Sequence, residues 1–148
     1  EGISIASENL KKSNVCERQK NSAIEILKDF KVAIECEYVK TFSPGSAIEL
    51  WSVPTRIGAS CLGKLGVRAE KIGEIASQEL LKELNSNSSV DRYLADQLIP
   101  FMALAEGKSS YLARELTNHA KTNIWVTEKF INKKFKVKKI GNLVMVQI

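Results

Sequence analysis

Three strand-length runs in a row, with a helical pattern on each side, constrain the fold of this chain more than any other feature. KVAIECEYV (31–39) alternates at Val32, Ile34, Cys36 and Tyr38. SAIELWSV (46–53) follows the breaker SPG, and RIGASCLG (56–63) follows Pro54 and runs into GKLG. A period of two broken by short polar or proline-containing connections predicts strands and tight turns. Ahead of them GISIAS (2–7) reads as a strand and VCERQKNSAIEILKDF (15–30) as a helix with Ala23, Ile24, Leu27 and Phe30 on one side. Asn14 with Glu17 three residues later has the spacing of a capping box, with Asn in place of Ser or Thr. Behind the strands VRAEKIGEIASQELLKEL (67–84) is helical, with Ala69, Ile72, Ala76, Leu80 and Leu84 in register.

The polar cluster NSNSS (85–89) separates two helical patterns and marks the best boundary, giving units 1–89 and 90–148. Beyond it VDRYLADQLIPFMALAEG (90–107) is helical, and Pro100 should kink or break that helix near its middle. SSYLARELT (109–117) reads as a strand. Thr117 is a good N-cap for the helix NHAKTNIWVTEKFI (118–131), and KKFKVKK with NLVMVQI forms a terminal hairpin around IGN. The order is β-α-β-β-β-α followed by α-β-α-β-β, and this mixed order with short hairpins predicts an α+β fold.

Bulk properties narrow the field. Hydrophobic residues are 44% and charged residues 26% of the 148, which is globular rather than disordered material. No apolar run reaches the length that crosses a bilayer, so no membrane is expected as a partner. The opening EGISIASENLKK lacks the basic start, apolar stretch and cleavage site of a signal peptide. It begins without methionine almost directly on a strand, and reads as part of a longer or processed chain. Cys16, Cys36 and Cys61 are scattered and odd in number, which suits free thiols in a reducing cytoplasm. With one histidine and no CxxC pair, a His-rich or thiolate metal site is not expected. The net charge of +5 favours polyanionic partners such as RNA or nucleotides.

Two places could carry chemistry. If Thr117 caps its helix, His119 is the second helical residue, where backbone N–H groups lack helical partners and suit a phosphate. An imidazole nitrogen beside such a cradle could attack phosphorus. A lone imidazole at a helix start is more often an ordinary surface residue. Tyr93, Asp96 and Gln97 lie at i, i+3 and i+4 and share one helical face, where a ring, a carboxylate and an amide could hold a nucleotide. A plain polar face is the bland explanation. Lys134, Lys136 and Lys138 alternate on one strand face, read first as a solvated face and second as an RNA contact.

SCLGKLGVRAEKIGEIASQELLKEL, SVDRYLADQLIPFMALAEG and LTNHAKTNIWVTEKF resemble the C-terminal half of the RNA 3′-terminal phosphate cyclase family, and GISIASENLKKSNVCERQ is similar to the start of its small inserted domain. The resemblance covers nearly the whole chain in order. It implies ATP-dependent conversion of an RNA 3′-phosphate end to a 2′,3′-cyclic phosphate in the cytoplasm, with a divalent metal, Mg²⁺ being the ion expected. By resemblance His119 is the adenylated histidine, and Tyr93, Asp96 and Gln97 line the nucleotide pocket, the tyrosine stacking on adenine. Residues 1–89 would be the inserted small domain, and 90–148 would complete a larger α/β domain made of repeated βα units. Family members carry a long segment ahead of these residues, with a glycine-rich GGG signature and phosphate-holding arginines. That N-terminal half, in the same or another chain, is therefore an expected partner beside RNA with a 3′-phosphate end. Non-catalytic relatives in ribosome assembly lack the histidine. A cyclase-like RNA or assembly-binding module is the alternative reading.

Overall fold

The alternating stretch Gly2–Ser7 forms β1, and the computed structural model, which describes residues 1–55 and 57–148, places it inside the first sheet. Arg56, with which the third strand run begins, lies outside the described residues. A short 3-10 turn, Glu8–Ser13, leads into α1 (Val15–Ile26). Then come β2 (Ile34–Val39), β3 (Ser46–Trp51), β4 (Gly58–Leu62) and α2 (Ala69–Asn85). The element order is the one expected, and the α+β class holds. The sheet order is not sequential: β1 lies between β2, its parallel partner, and β3, its antiparallel partner, and β4 closes the other edge. Only β3 and β4 form a hairpin among the three consecutive strands.

The chain divides into two compact units, Glu1–Lys82 and Glu83–Ile148. In the first, α1 packs on the sheet. Its buried face is Cys16, Gln19, Ala23 and the capping Leu27, while Phe30 lies beyond the helix end and is half exposed. The expectation that Phe30 joins the buried stripe is thus corrected, because α1 stops at Ile26. Gln19 takes the place of an apolar residue and is satisfied there. It accepts from Ser4 Oγ at 2.7 Å and donates through Nε2 to Ser46 Oγ at 3.0 Å, tying α1 to β1 and β3. Gly73 brings α2 against α1 so closely that a Cβ would collide with the Gln19 carbonyl oxygen.

The capping box at Asn14 does not form. Asn14 sits in the left-handed region at φ 49°, ending the 3-10 turn, and makes no side-chain cap bond. Tyr38 on β2 replaces it: its hydroxyl accepts from the Cys16 N–H at 3.1 Å and donates to Glu17 Oε2 at 2.6 Å. Burial and the Glu17 carboxylate push the Tyr38 hydroxyl well above the ordinary tyrosine range.

The second unit contains α3 (Arg92–Leu104), β5 (Ser110–Ala113), α4 (Asn118–Phe130), β6 (Lys136–Ile140) and β7 (Leu143–Gln147). Its sheet is antiparallel in the order β5-β7-β6, and Gly141 at φ +58° makes the β6–β7 turn. The core gathers Val90, Ala95, Met102, Tyr111, Ala113 and Val146. NSNSS is not a loose linker: Ser89 donates its N–H to the Leu112 carbonyl at 2.8 Å and accepts the Leu112 N–H on Oγ at 2.8 Å. Asp91 caps α3, its Oδ1 accepting from Tyr93 N at 2.9 Å and Leu94 N at 2.8 Å.

Pro100 does not break α3, which runs unbroken from Arg92 to Leu104. A proline inside a helix leaves the carbonyl four residues earlier without its donor. Here that carbonyl belongs to Asp96, and Asn123 Nδ2 from α4 donates to it at 3.2 Å. The neighbouring helix supplies the missing hydrogen bond, so α3 stays whole.

Candidate functional site

Thr117 caps α4 as expected, its Oγ1 accepting from the Ala120 N–H at 3.0 Å. His119 is the second helical residue and is exposed. With Ala120 taken by the cap and Lys121 donating to the Thr117 carbonyl, the N–H groups of Asn118 and His119 have no partner among the described residues. The first turn therefore presents two open donors at the positive end of a 13-residue helix. One turn on, Asn123 reaches α3, so His119 and Asn123, at i and i+4, share a face of α4.

On α3, Tyr93 is half exposed at 51%, Asp96 is partly buried and Gln97 is exposed. The structure places all three on one helix. It links that helix to α4 through the Asp96 backbone rather than through their side chains. The Arg92 guanidinium lies 5.5 Å from the Tyr93 ring centre, orienting the ring from one side. Beneath this face the buried Tyr111 hydroxyl donates to the Ala95 carbonyl at 2.5 Å. Burial, and then the Asp96 carboxylate, push that hydroxyl up to about 12, so it remains a donor at any physiological pH.

A chain of charges leads from this helix inward. Arg92 lies 3.7 Å from Glu115, Glu115 is 3.7 Å from Arg114, and Arg114 donates twice to Glu83 Oε1, at 3.2 and 3.0 Å. Glu83 is fully buried, and its Oε2 has no hydrogen-bond partner among the described residues. Sequence reasoning missed Asn123, Tyr111, Asp91 and this charge chain. Asp91 was legible, since it directly precedes the periodic run. Asn123 could have been reached by asking which donor answers Pro100.

Lys134 precedes β6 and its ammonium pairs with Glu128 at 2.9 Å, while Lys136 and Lys138 alternate on the strand itself. No group of three His, Cys, Asp or Glu side chains able to hold a metal occurs among the described residues. No helix among them is long and apolar enough to cross a membrane.

The chain is similar to known proteins. A family model described as RNA 3'-terminal phosphate cyclase matches residues 9–137. An RNA 3'-terminal phosphate cyclase of Methanosarcina mazei is 47% identical over 149 residues, covering 99% of this chain and 41% of the relative. One of Methanosarcina acetivorans is 46% identical over 150 residues, covering 100% and 41%. One of Pyrococcus abyssi is 45% identical over 139 residues, covering 91% and 40%. The chain spans about two fifths of the length of these curated relatives.

Proposed function

The chain belongs to the RNA 3′-terminal phosphate cyclase family, and from that premise we propose that it carries the nucleophile of an ATP-dependent cyclase acting on RNA 3′-phosphate ends. The observation that supports this most is the start of α4: the only imidazole of the chain lies at the second helical position, among N–H donors left open. In this reading residues 1–89 are the inserted small domain and 90–148 finish the catalytic domain. The relatives' remaining length, in the same or another chain, supplies the rest of the site, in the cytoplasm.

The steps follow from ordinary phosphoryl chemistry. A nitrogen of His119 attacks the α-phosphorus of ATP, an N–P bond forms, and the P–O bond to pyrophosphate breaks. The Asn118 and His119 N–H groups face charge that develops on the phosphoryl oxygens. Tyr93, held by Arg92, stacks on adenine, and Asp96 and Gln97 offer an acceptor and an amide to the nucleoside. An oxygen of the RNA 3′-phosphate then takes AMP from the histidine. The vicinal 2′-hydroxyl closes on the phosphorus, AMP leaves, and the hydroxyl proton goes to a base. A divalent ion such as Mg²⁺ would be held largely by nucleotide phosphates and neutralise their charge.

The test is labelling of the full-length protein with ATP carrying a marked α-phosphate. Label should bind the wild-type polypeptide through an acid-labile bond and be absent from His119→Ala and His119→Asn, with both variants folded. Label retained in both variants removes His119 as nucleophile. Wild type that binds ATP and RNA but never takes label points to the non-catalytic module. In the same protein Tyr93→Ala should weaken ATP binding by about 1–3 kcal/mol.

A further inference from the structure

The surplus of positive charge is not spread evenly. Residues 1–82 carry 12 Lys and Arg against 11 Asp and Glu, whereas residues 83–148 carry ten against six. Part of that excess converges on one place. A cleft of about 350 Å³ is lined by Lys108, Ser109, Ser110, Lys134, Lys136, Gln147 and Ile148.

Strand register explains why these side chains meet. Ser110 pairs with Gln147, and Gln147 with Lys136, so the three form one row across β5, β7 and β6. Directly opposed residues point to the same sheet face. The neighbouring row, Tyr111–Val146–Val137, contributes Tyr111 and Val146 to the core, so the Ser110–Gln147–Lys136 row lies on the outer face. Lys138 follows on that face two residues along β6. Lys134 is shared with Glu128, while Lys108 and Lys136 have no ion-pair partner among the described residues. Clustering ammonium groups around one cleft is unfavourable unless an anion joins them. The lining has no aromatic side chain to stack a base and several donors suited to phosphate and sugar oxygens.

We infer that this cleft holds backbone phosphates of the RNA a few nucleotides upstream of the 3′ end that the site at His119 processes. The inference rests on the proposed cyclase reading. Lys134, one of the lining residues, is paired with Glu128, nine residues beyond His119 on α4, a rise of about 14 Å along that helix. Contacts of this kind position the chain without reading its sequence.

The experiment uses the full-length protein and Lys108→Gln/Lys136→Gln. Binding is measured for a single-stranded 3′-phosphorylated RNA of about 12 nucleotides and for a 3′-phosphorylated dinucleotide, too short to span the gap. The double variant should bind the long RNA more weakly with a flatter salt dependence, and should bind the dinucleotide and take AMP label like wild type. Two phosphate contacts on a single strand correspond to a slope change of about 1.4, so the wild-type advantage should shrink about sevenfold from roughly 50 to 200 mM salt. Equal binding of the long RNA by both proteins overturns the inference. So does an equal loss for the dinucleotide, or a loss of AMP labelling, which would place the lysines at the nucleotide instead. The binding arm needs no catalysis, so it stands or falls separately from the labelling of His119.

Discussion

The two units of this chain differ in where their polar side chains find partners. In residues 1–82 polar side chains at element junctions are closed on one another: Gln19 between Ser4 and Ser46, Tyr38 between Cys16 and Glu17, Arg18 bidentate on Glu70 at 2.8 and 2.9 Å. In residues 83–148 several groups have no partner among the described residues: the first N–H donors of α4, the buried Glu83 Oε2, and two lysines of the outer cleft. Both units expose large apolar side chains, Phe42, Leu62 and Leu65 in the first and Phe101, Leu104, Trp125 and Phe130 in the second, each more than half exposed. Closed networks rigidify a unit, and open donors and charges are what a ligand can use. Under the proposed function the first unit is scaffold and the second carries the chemistry.

The largest structural effect should come from the closed unit. Gly73→Ala puts a Cβ into the Gln19 carbonyl, which is backbone and cannot swing aside. Separating α1 from α2 should cost about 1–3 kcal/mol, read as a lower urea midpoint at unchanged slope. Wild-type stability in this variant would mean that α2 is not held against α1, and the contrast between units would fail.

A smaller effect tests how the second unit tolerates its proline. Asn123→Ala removes the donor to the Asp96 carbonyl and should cost about 1 kcal/mol. Pro100→Ala restores an N–H that can bond the same carbonyl within α3. The cost of Asn123→Ala should therefore be smaller in the Pro100→Ala background than in wild type, a coupling that a double-mutant cycle reads directly. Additive costs would show that the two residues do not share one acceptor.

The smallest effect is electrostatic. The Arg18 guanidinium holds the Glu70 carboxyl at about 2, below the ordinary glutamate value near 4.3. A depressed folded-state value means that the contribution is present above about pH 4.3 and is lost as pH falls toward 2. The stability gap between wild type and Glu70→Gln should be constant near neutrality and close across that window. The pair is solvent-accessible, so the gap should also shrink with salt. A gap that widens on acidification would reverse the assignment.

Much of this was already legible in the chain. The element order, the α+β class, the Thr117 cap and the place of His119 at the second helical position all follow from spacing within a few residues, because periodicity and caps are local. The family also followed from contiguous stretches of sequence. Tertiary structure decided what depends on partners distant in the chain. Tyr38, 22 residues beyond Cys16, displaced the capping box that Asn14 and Glu17 spell out. Asn123, 27 residues from Asp96, bonds the carbonyl that Pro100 leaves without a helical donor. β1 came to lie between β2 and β3, and register gathered Ser110, Gln147 and Lys136 into one row across three strands. Local sequence states which hydrogen bonds a segment lacks. Only the folded chain brings up the groups that supply them.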